Sequence, residues 1–143
     1  MSNQSDKYIS GGTRSYGVLS NSGLEGLRIL VADDNEDAAS SMAALLQLSG
    51  HIVETANDGE QAIRVAEATH PNVALLDLGM PKINGEDVAR AIRDSQWGKG
   101  TIIIAVTGWN PREIKTCSDT PLFDAHLTKP VEFDALLTLL RAL

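Results

Sequence analysis

The chain has 143 residues, of which 43% are hydrophobic, and its 12 basic and 19 acidic residues give a formal net charge of −7. This length and apolar fraction are typical of one globular domain with a core of its own. The negative charge repels phosphate backbones and argues against direct binding to nucleic acid. No apolar run approaches the ~18 residues of a membrane-spanning helix, so we expect no membrane insertion.

The sequence offers little for disulfides or for soft metal ligands. The single cysteine, Cys117, excludes an internal disulfide and a cysteine zinc site. The three histidines lie far apart in the sequence, which does not favour a histidine metal site. The N-terminus lacks the basic start and the apolar stretch of a secretory signal, and we expect a cytoplasmic protein.

Residues 1–26 differ from the rest of the chain. They are rich in serine and glycine, poor in large apolar residues, and follow neither a strand nor a helix period. We interpret them as a flexible tail or interdomain linker. A short recognition peptide around residues 16–19 is the alternative interpretation. The folded domain is predicted to cover residues 27–143.

From Leu27 onward, short apolar runs alternate with amphipathic segments. The runs predict five strands, which in chain order are residues 29–32, 52–53, 73–76, 102–106 and 123–127. Strands that are apolar throughout and separated by helices indicate a parallel sheet covered on both faces. Because crossover connections are right-handed, the predicted fold is a doubly wound α/β sheet of the (βα)5 type.

The segments between and after these strands have helical periods. In chain order their apolar faces contain Met42, Leu45 and Leu46; Ala62, Ile63 and Ala66; Val88, Ala91 and Ile92; and, in the last helix, Phe133, Leu136, Leu137 and Leu140. Gly50 and the His70-Pro71 pair predict the ends of the first two helices. The helix predicted between Asn110 and Pro121 has the least support, because residues 116–120 include few good helix formers.

Polar residues follow the apolar strands at their carboxyl ends. Asp33 and Asp34 follow the first strand, Asp77 the third, Thr107 the fourth and Lys129 the fifth. In the common 2-1-3-4-5 order of doubly wound sheets, the first and third strands are neighbours and ligands bind beyond their carboxyl ends. Each residue alone is typical of a helix cap, a turn or a solvated loop. Together they predict one crevice with three carboxylates, a hydroxyl and an ammonium.

These residues stand in five ordered motifs, which are residues 31–35 (VADDN), 76–81 (LDLGMP), 84–85 (NG), 106–108 (VTG) and 127–130 (LTKP). With them the chain resembles the receiver domain of response regulators and hybrid histidine kinases, including chemotaxis regulators, over residues 27–143. The resemblance implies a flavodoxin-like, five-stranded sheet in the order 2-1-3-4-5. It also implies a role in two-component phosphorelay signalling.

The resemblance assigns roles to the crevice. Asp77 is expected to accept a phosphoryl group from a phosphohistidine, with Mg²⁺ as cofactor. The expected metal ligands are Asp34, Asp77 and the Gly79 backbone carbonyl, with Asp33 acting largely through water. Thr107 is the expected switch hydroxyl and Lys129 the ammonium that neutralises the phosphoryl oxygens. The Lys129-Pro130 peptide is expected to be cis.

The same resemblance implies partners and a switch. The phosphodonor is expected to be a sensor histidine kinase or a histidine phosphotransfer protein. Phosphorylation is expected to change the surface formed by the fourth helix, the fifth strand and the fifth helix, and to promote a homodimer. The domain would be a signalling switch that assists its own phosphorylation and dephosphorylation, not a separate enzyme. It would stand alone or form part of a hybrid histidine kinase, and we favour the latter.

Three positions depart from the common pattern of this family. Gly79, two residues after the acceptor, lacks the side chain that usually tunes access to the phosphoryl group. Trp109, two residues after Thr107, is either a lid over that group or a packing residue that closes a loop. His126 replaces the usual tyrosine or phenylalanine switch, and is either a rotating switch residue or a partly packed histidine.

Three other functions fit the sequence less well. A haloacid-dehalogenase-like phosphatase would carry a second aspartate at the position of Gly79. A degenerate receiver that is never phosphorylated would have lost the acidic pair, the acceptor or the lysine, and this chain keeps all of them. A dinucleotide-binding domain would have a glycine-rich loop after the first strand, and none follows it here.

Overall fold

The computed structural model describes residues 26–108, 110–113, 115 and 121–143. Its five strands are β1 (Arg28–Ala32), β2 (Ile52–Ala56), β3 (Val73–Asp77), β4 (Ile102–Thr107) and β5 (Ala125–Thr128). The helices are α1 (Glu36–Leu48), α2 (Gly59–Thr69), α3 (Gly85–Asp94), α4 (described at 111–113 and 115) and α5 (Phe133–Ala142). A 3-10 helix covers Trp97–Gly100. None of the helices in these ranges is long and apolar enough to cross a membrane.

The strands form one parallel sheet in the order β2-β1-β3-β4-β5. Strand β1 lies between β2 and β3, so the chain order reverses at β1 and β3. This arrangement confirms the predicted doubly wound, flavodoxin-like fold. It also confirms that the carboxyl ends of β1 and β3 are neighbours, which places a crevice at that edge.

Alternate residues of the strands pack on opposite faces of the sheet. On one face, Ile29, Val31 and Leu75 contact the apolar sides of α1 and α5. On the other face, Leu30 and Leu76 contact α2 and α3. Both faces are therefore buried, which explains why the strands are apolar throughout.

Each of the first three helices begins with a side chain that accepts a backbone N–H bond. Asn35 caps α1 by accepting from Ala38, and Asp58 and Asn84 do the same for α2 and α3. Because Asn35 supplies the α1 cap, this helix does not require the carboxylates of Asp33 and Asp34 for its first turn. Those two carboxylates can face the crevice.

The ends of the first two helices follow the prediction. Gly50 has a φ of 96°, and it follows the C-cap residue Ser49 of α1. His70 ends α2 in the left-handed conformation, with a φ of 46°. Glycine adopts positive φ at little cost, whereas His70 adopts it directly before a proline.

The start of α3 packs closely on the end of β3. A Cβ atom on Gly85 would lie 2.6 Å from the carbonyl oxygen of Asp77 and 2.9 Å from Leu78 Cδ2. Gly85 is buried, and Asn84 before it caps the helix. Only glycine leaves enough room for this approach, so the backbone at Asp77 is held against α3.

Three details differ from the predictions. Leu45 is 41% exposed, because Met42 and Leu46 take the sheet-facing side of α1 and Leu45 lies at its edge. Ala89 is fully buried on α3, where the prediction named Ala91. Strand β5 begins at Ala125, since the ladder with β4 starts there, and Phe123 instead packs beside the core on the α2–α3 face.

Candidate functional site

Three carboxylates meet at the carboxyl ends of β1 and β3. Asp33 and Asp34 directly follow β1, and Asp77 is the last residue of β3. The register pairs Ala32 with Leu76, which brings the two strand ends side by side. One carboxylate oxygen from each aspartate lies within 4.8 Å of the others. The structure thus brings together the acidic group that the sequence predicted.

Asp77 is buried and both of its carboxylate oxygens are held. The residue as a whole is 1% exposed. Lys129 Nζ donates to Oδ2 at 2.8 Å, and the Gly79 N–H donates to Oδ1 at 2.9 Å. Charge-assisted bonds of this kind fix the orientation of a carboxylate. The side chain of Asp77 is therefore positioned before any reaction partner arrives.

The crowding of charge appears in the pKa values of two groups. Burial raises the pKa of Asp33, and the neighbouring Asp77 charge raises it further, although the Asn35 N–H and Lys129 act in the opposite direction. Burial alone would lower the pKa of Lys129, but its hydrogen bond to Asp77 and the attraction of the three carboxylates raise it. The site therefore holds its lysine charged and carries more negative charge than that lysine neutralises.

Thr107 supplies a buried hydroxyl at the end of β4. The residue is 0% exposed, and its Oγ1 atom has no hydrogen-bond partner in the part of the chain that the structure describes. Its carbonyl oxygen accepts the Lys129 N–H at 2.7 Å, which links the ends of β4 and β5. Buried hydroxyls are normally paired, so a free one at a strand end is typical of a site that awaits a ligand oxygen.

The loop after β5 positions Lys129. The Lys129-Pro130 peptide is cis, as the resemblance implied. The ammonium side chain is 41% exposed, so it reaches Asp77 from the open side of the crevice. A cation at this point can contact both the carboxylate and solvent-borne reactants.

One charged residue of the site was not predicted. Glu113, in α4, accepts the Gly108 N–H on its Oε1 atom at 3.0 Å. Its Oε2 atom lies 3.4 Å from the position that a Cβ on Gly79 would occupy, and Asp77 Oδ1 lies 3.5 Å from the same position. No motif pointed to Glu113; the available signal was its place three residues after Asn110, in the first turn of the least supported helix.

One further predicted position, His126, is described on β5, whereas other predictions concern residues that the structure does not describe. His126 lies on β5 in register with Ala105 and is exposed. This exposure does not match the alternative of a partly packed histidine, and the switch role of His126 stays a prediction. Trp109 lies outside the described residues, so its role as a lid stays a prediction too. The tail predicted at residues 1–26 also lies outside them, apart from Gly26.

The donor set suits a hard divalent cation. Carboxylate oxygens are the ligands that Mg²⁺ prefers, and it usually shares its coordination sphere with water and phosphate. The pKa of Asp33 is raised mainly by burial and further by the Asp77 charge, and a bound cation would relieve this repulsion between the carboxylates. Asp33, Asp34 and Asp77 therefore fit a magnesium site, and the Gly79 carbonyl remains a predicted fourth ligand.

Comparisons with known proteins agree with this geometry. Residues 29–141 match the family model of the response regulator receiver domain. The CAI-1 autoinducer sensor kinase/phosphatase CqsS of Vibrio cholerae is 34% identical over 111 residues, which are 77% of this chain and 16% of that protein. This chain spans half the length of the response regulators that it matches.

Solved structures show the same fold. The receiver domain of sensor histidine kinase PA1611 from Pseudomonas aeruginosa, with a magnesium ion coordinated in its active-site cleft, has a TM-score of 0.73 and 29% identity, covering 82% of this chain and 96% of that one. Chemotaxis protein CheY4 of Vibrio cholerae also has a TM-score of 0.73, at 26% identity, covering 82% of this chain and 98% of that one. The chain belongs to the response regulator receiver domain family and is a receiver domain of two-component signalling systems.

Proposed function

We propose that Asp77 accepts a phosphoryl group from the phosphohistidine of a sensor histidine kinase or a histidine phosphotransfer protein. The observation that carries this proposal is the convergence of three groups at one edge of the sheet. They are the buried Asp77 carboxylate, the Lys129 ammonium bonded to it, and the Thr107 hydroxyl, which has no partner within the described ranges. A carboxylate is a competent phosphoryl acceptor, and aspartyl phosphates are known intermediates in other proteins.

The transfer exchanges one bond for another. A carboxylate oxygen of Asp77 forms a P–O bond as the P–N bond to the donor imidazole breaks, and the released nitrogen keeps the electron pair of that bond. Negative charge spreads over the three equatorial phosphoryl oxygens. Lys129 neutralises part of it. The Thr107 hydroxyl, at the neighbouring end of β4, and the Gly79 N–H, which donates to Asp77 Oδ1 in the free chain, are the proposed donors to the remaining oxygens.

The acidic residues would hold the metal for this step. Asp33, Asp34, Asp77 and the Gly79 carbonyl are the proposed Mg²⁺ ligands, with Asp33 acting mainly through water. When bound, Mg²⁺ supplies positive charge that offsets the phosphoryl charge and the carboxylate repulsion. The acidic cluster within 4.8 Å and the raised pKa of Asp33 support this assignment.

Switching is proposed to begin at Thr107. A phosphoryl oxygen on Asp77 would attract the unpaired hydroxyl, and the loop after β4 would move with it. His126, exposed on β5, could then turn inward as the aromatic switch residue does in related receivers. The surface of α4, β5 and α5 would change shape and could support a homodimer. This is a two-state element biased by a local charge event.

The wider setting is also a proposal. We infer that the domain is a cytoplasmic switch that assists its own phosphorylation and dephosphorylation and that it acts within a longer protein of the hybrid histidine kinase type. Its match to a segment of a sensor kinase supports this setting. Residues 1–26 would then be a linker, with the receiver at residues 27–143.

Phosphorylation of Asp77 can be tested directly. Incubation with acetyl phosphate and Mg²⁺ should add one acid-stable, base-labile phosphoryl group per chain, measured by intact-protein mass spectrometry. Asp77→Asn should abolish the addition, because an amide is a poor nucleophile. Asp94→Asn, which removes an exposed carboxylate from the end of α3, is the matched control and should retain it. Labelling of Asp77→Asn at the wild-type level would contradict the proposal.

A further inference from the structure

The carboxylate of Glu113 lies beside Gly79, on a flank of the acceptor Asp77. Its Oε1 atom accepts the Gly108 N–H at 3.0 Å. Its Oε2 atom and Asp77 Oδ1 lie 3.4 Å and 3.5 Å from one shared point, the position of a hypothetical Gly79 Cβ. Gly108 follows β4, which borders β3 on the side opposite to β1, so Glu113 is bonded on the side of Asp77 away from the acidic pair.

Gly79 leaves room beside both carboxylates. A Cβ atom there would be in ordinary contact with Glu113 Oε2 and with Asp77 Oδ1, so a longer side chain would leave less space next to them. With glycine at position 79, a side chain from α4 can occupy that space. The residue that reaches in carries a negative charge and is half-buried.

A role as a simple helix cap does not account for Glu113. The first turn of α4 already has a cap, since Asn110 Oδ1 accepts the Arg112 N–H at 2.8 Å. Glu113 instead holds Gly108, which lies outside the helix and directly after Thr107. The bond therefore restrains the residue next to Thr107, whose hydroxyl has no hydrogen-bond partner among the described residues.

A phosphoryl group on Asp77 would meet this carboxylate. It would bring additional negative charge next to Oε2 and would need N–H donors for its own oxygens. The Gly108 N–H adjoins Thr107 and is a donor of the kind it needs. The phosphoryl group and the Glu113 carboxylate would then compete for the Gly108 N–H donor, and like charges a few ångströms apart repel each other.

We propose that Glu113 is an anionic occupant of the phosphoryl pocket: it holds the Gly108 N–H in the unphosphorylated chain and leaves when Asp77 is phosphorylated. This inference rests on the proposed function of Asp77. Glu113 is then a further residue that sets the affinity of the site for a phosphoryl group. Its departure releases the Thr107–Gly108 loop from the start of α4.

The test measures binding of beryllium trifluoride, a non-covalent phosphoryl analogue, in the presence of Mg²⁺. Its dissociation constant can be followed by ¹⁹F NMR on wild type, Glu113→Gln and Glu113→Ala. Both variants remove the charge, so both should bind at least about fivefold more tightly, which is the effect of water-screened repulsion between unit charges at about 4 Å. Glu54→Gln, on the exposed side of edge strand β2, changes the net charge equally and should bind as wild type.

The outcomes separate the inference from the function on which it rests. If wild type bound no analogue, or if Asp77→Asn bound it equally well, the proposed function itself would be wrong. If wild type bound it through Asp77 and Glu113→Gln had the same affinity, the occupant role would be overturned. Weaker binding of the analogue by Glu113→Ala would also overturn the occupant role, because Glu113 would then act only by stabilising the position of Gly108. Circular dichroism and melting curves would show that each variant folds.

Discussion

Replacing Thr107 by valine should make the unphosphorylated domain more stable while weakening its response to a phosphoryl group. The hydroxyl of Thr107 is buried and has no partner among the described residues. Folding therefore removes it from water without providing a new hydrogen bond. Valine has nearly the same shape and lacks the unpaired group, so Thr107→Val changes little except this cost.

The structure sets the size of the expected effect. A buried polar group without a partner costs about 1–3 kcal/mol. Taking the lower end, Thr107→Val should raise the free energy of unfolding by about 1 kcal/mol and the melting temperature by roughly 4 °C. A hydrogen bond to a charged group contributes about 1.5–3 kcal/mol. Affinity for beryllium trifluoride should therefore fall by roughly ten- to a hundredfold.

Thr101, which directly precedes β4, offers a matched control. Thr101 is also buried, but its hydroxyl donates to the Pro71 carbonyl at 3.0 Å. Thr101→Val should therefore lower stability by about 1 kcal/mol or more, since it leaves that carbonyl unpaired. Urea denaturation followed by circular dichroism, with and without Mg²⁺ and beryllium trifluoride, compares the two variants. If Thr107→Val destabilised the free domain as Thr101→Val does, the hydroxyl would be paired, and our reasoning would fail.

Two further predictions concern the charges of the site. Asp33→Asn should raise the melting temperature of the metal-free protein at neutral pH, because burial and the Asp77 charge raise the pKa of Asp33 above its ordinary 3.8. A carboxyl group with a raised pKa contributes its full stabilisation below its ordinary pKa of 3.8 and loses that stabilisation as the pH rises through the raised pKa. The gain in melting temperature from Asp33→Asn should therefore vanish in melting curves below pH 3.8. A gain that did not depend on pH would contradict this prediction. Lys129→Met should cost about 1–2 kcal/mol in urea denaturation, less than a fully buried pair, because the lysine side chain is 41% exposed. An equal cost in the Asp77→Asn background would show that the ion pair is not its source.

Much of the site could be predicted because it lies at strand ends. Apolar runs identify the strands, and a polar residue at the end of such a run is visible in the sequence. Asp33, Asp77 and Thr107 were found in this way, and the parallel sheet brings their side chains to one edge. The same local signals predicted the ends of α1 and α2 at Gly50 and at His70-Pro71. Where neighbouring residues decide the structure, sequence patterns were sufficient.

Glu113 could not be predicted in this way. Its contact with Gly108 depends on how the start of α4 packs over the end of β4, and this is a tertiary feature. The contact also lies beside Gly79, a position that the sequence pattern connected with Trp109 instead. The exposure of Leu45 has a similar origin, since the helical period gives the apolar face but not its exact width against the sheet.

The close packing at Gly85 has a mechanical consequence. One flank of the acceptor is fixed, because α3 leaves no room between Gly85 and the Asp77 carbonyl. On the flank next to β4, the Gly108 N–H donates a hydrogen bond to the side chain of Glu113. Negative charge added between these two flanks should displace the flank that is held by a single side-chain hydrogen bond, and not the flank that is held by backbone packing. The displacement that follows phosphorylation should therefore run toward α4 and β5, whereas α3 and its cap remain in place.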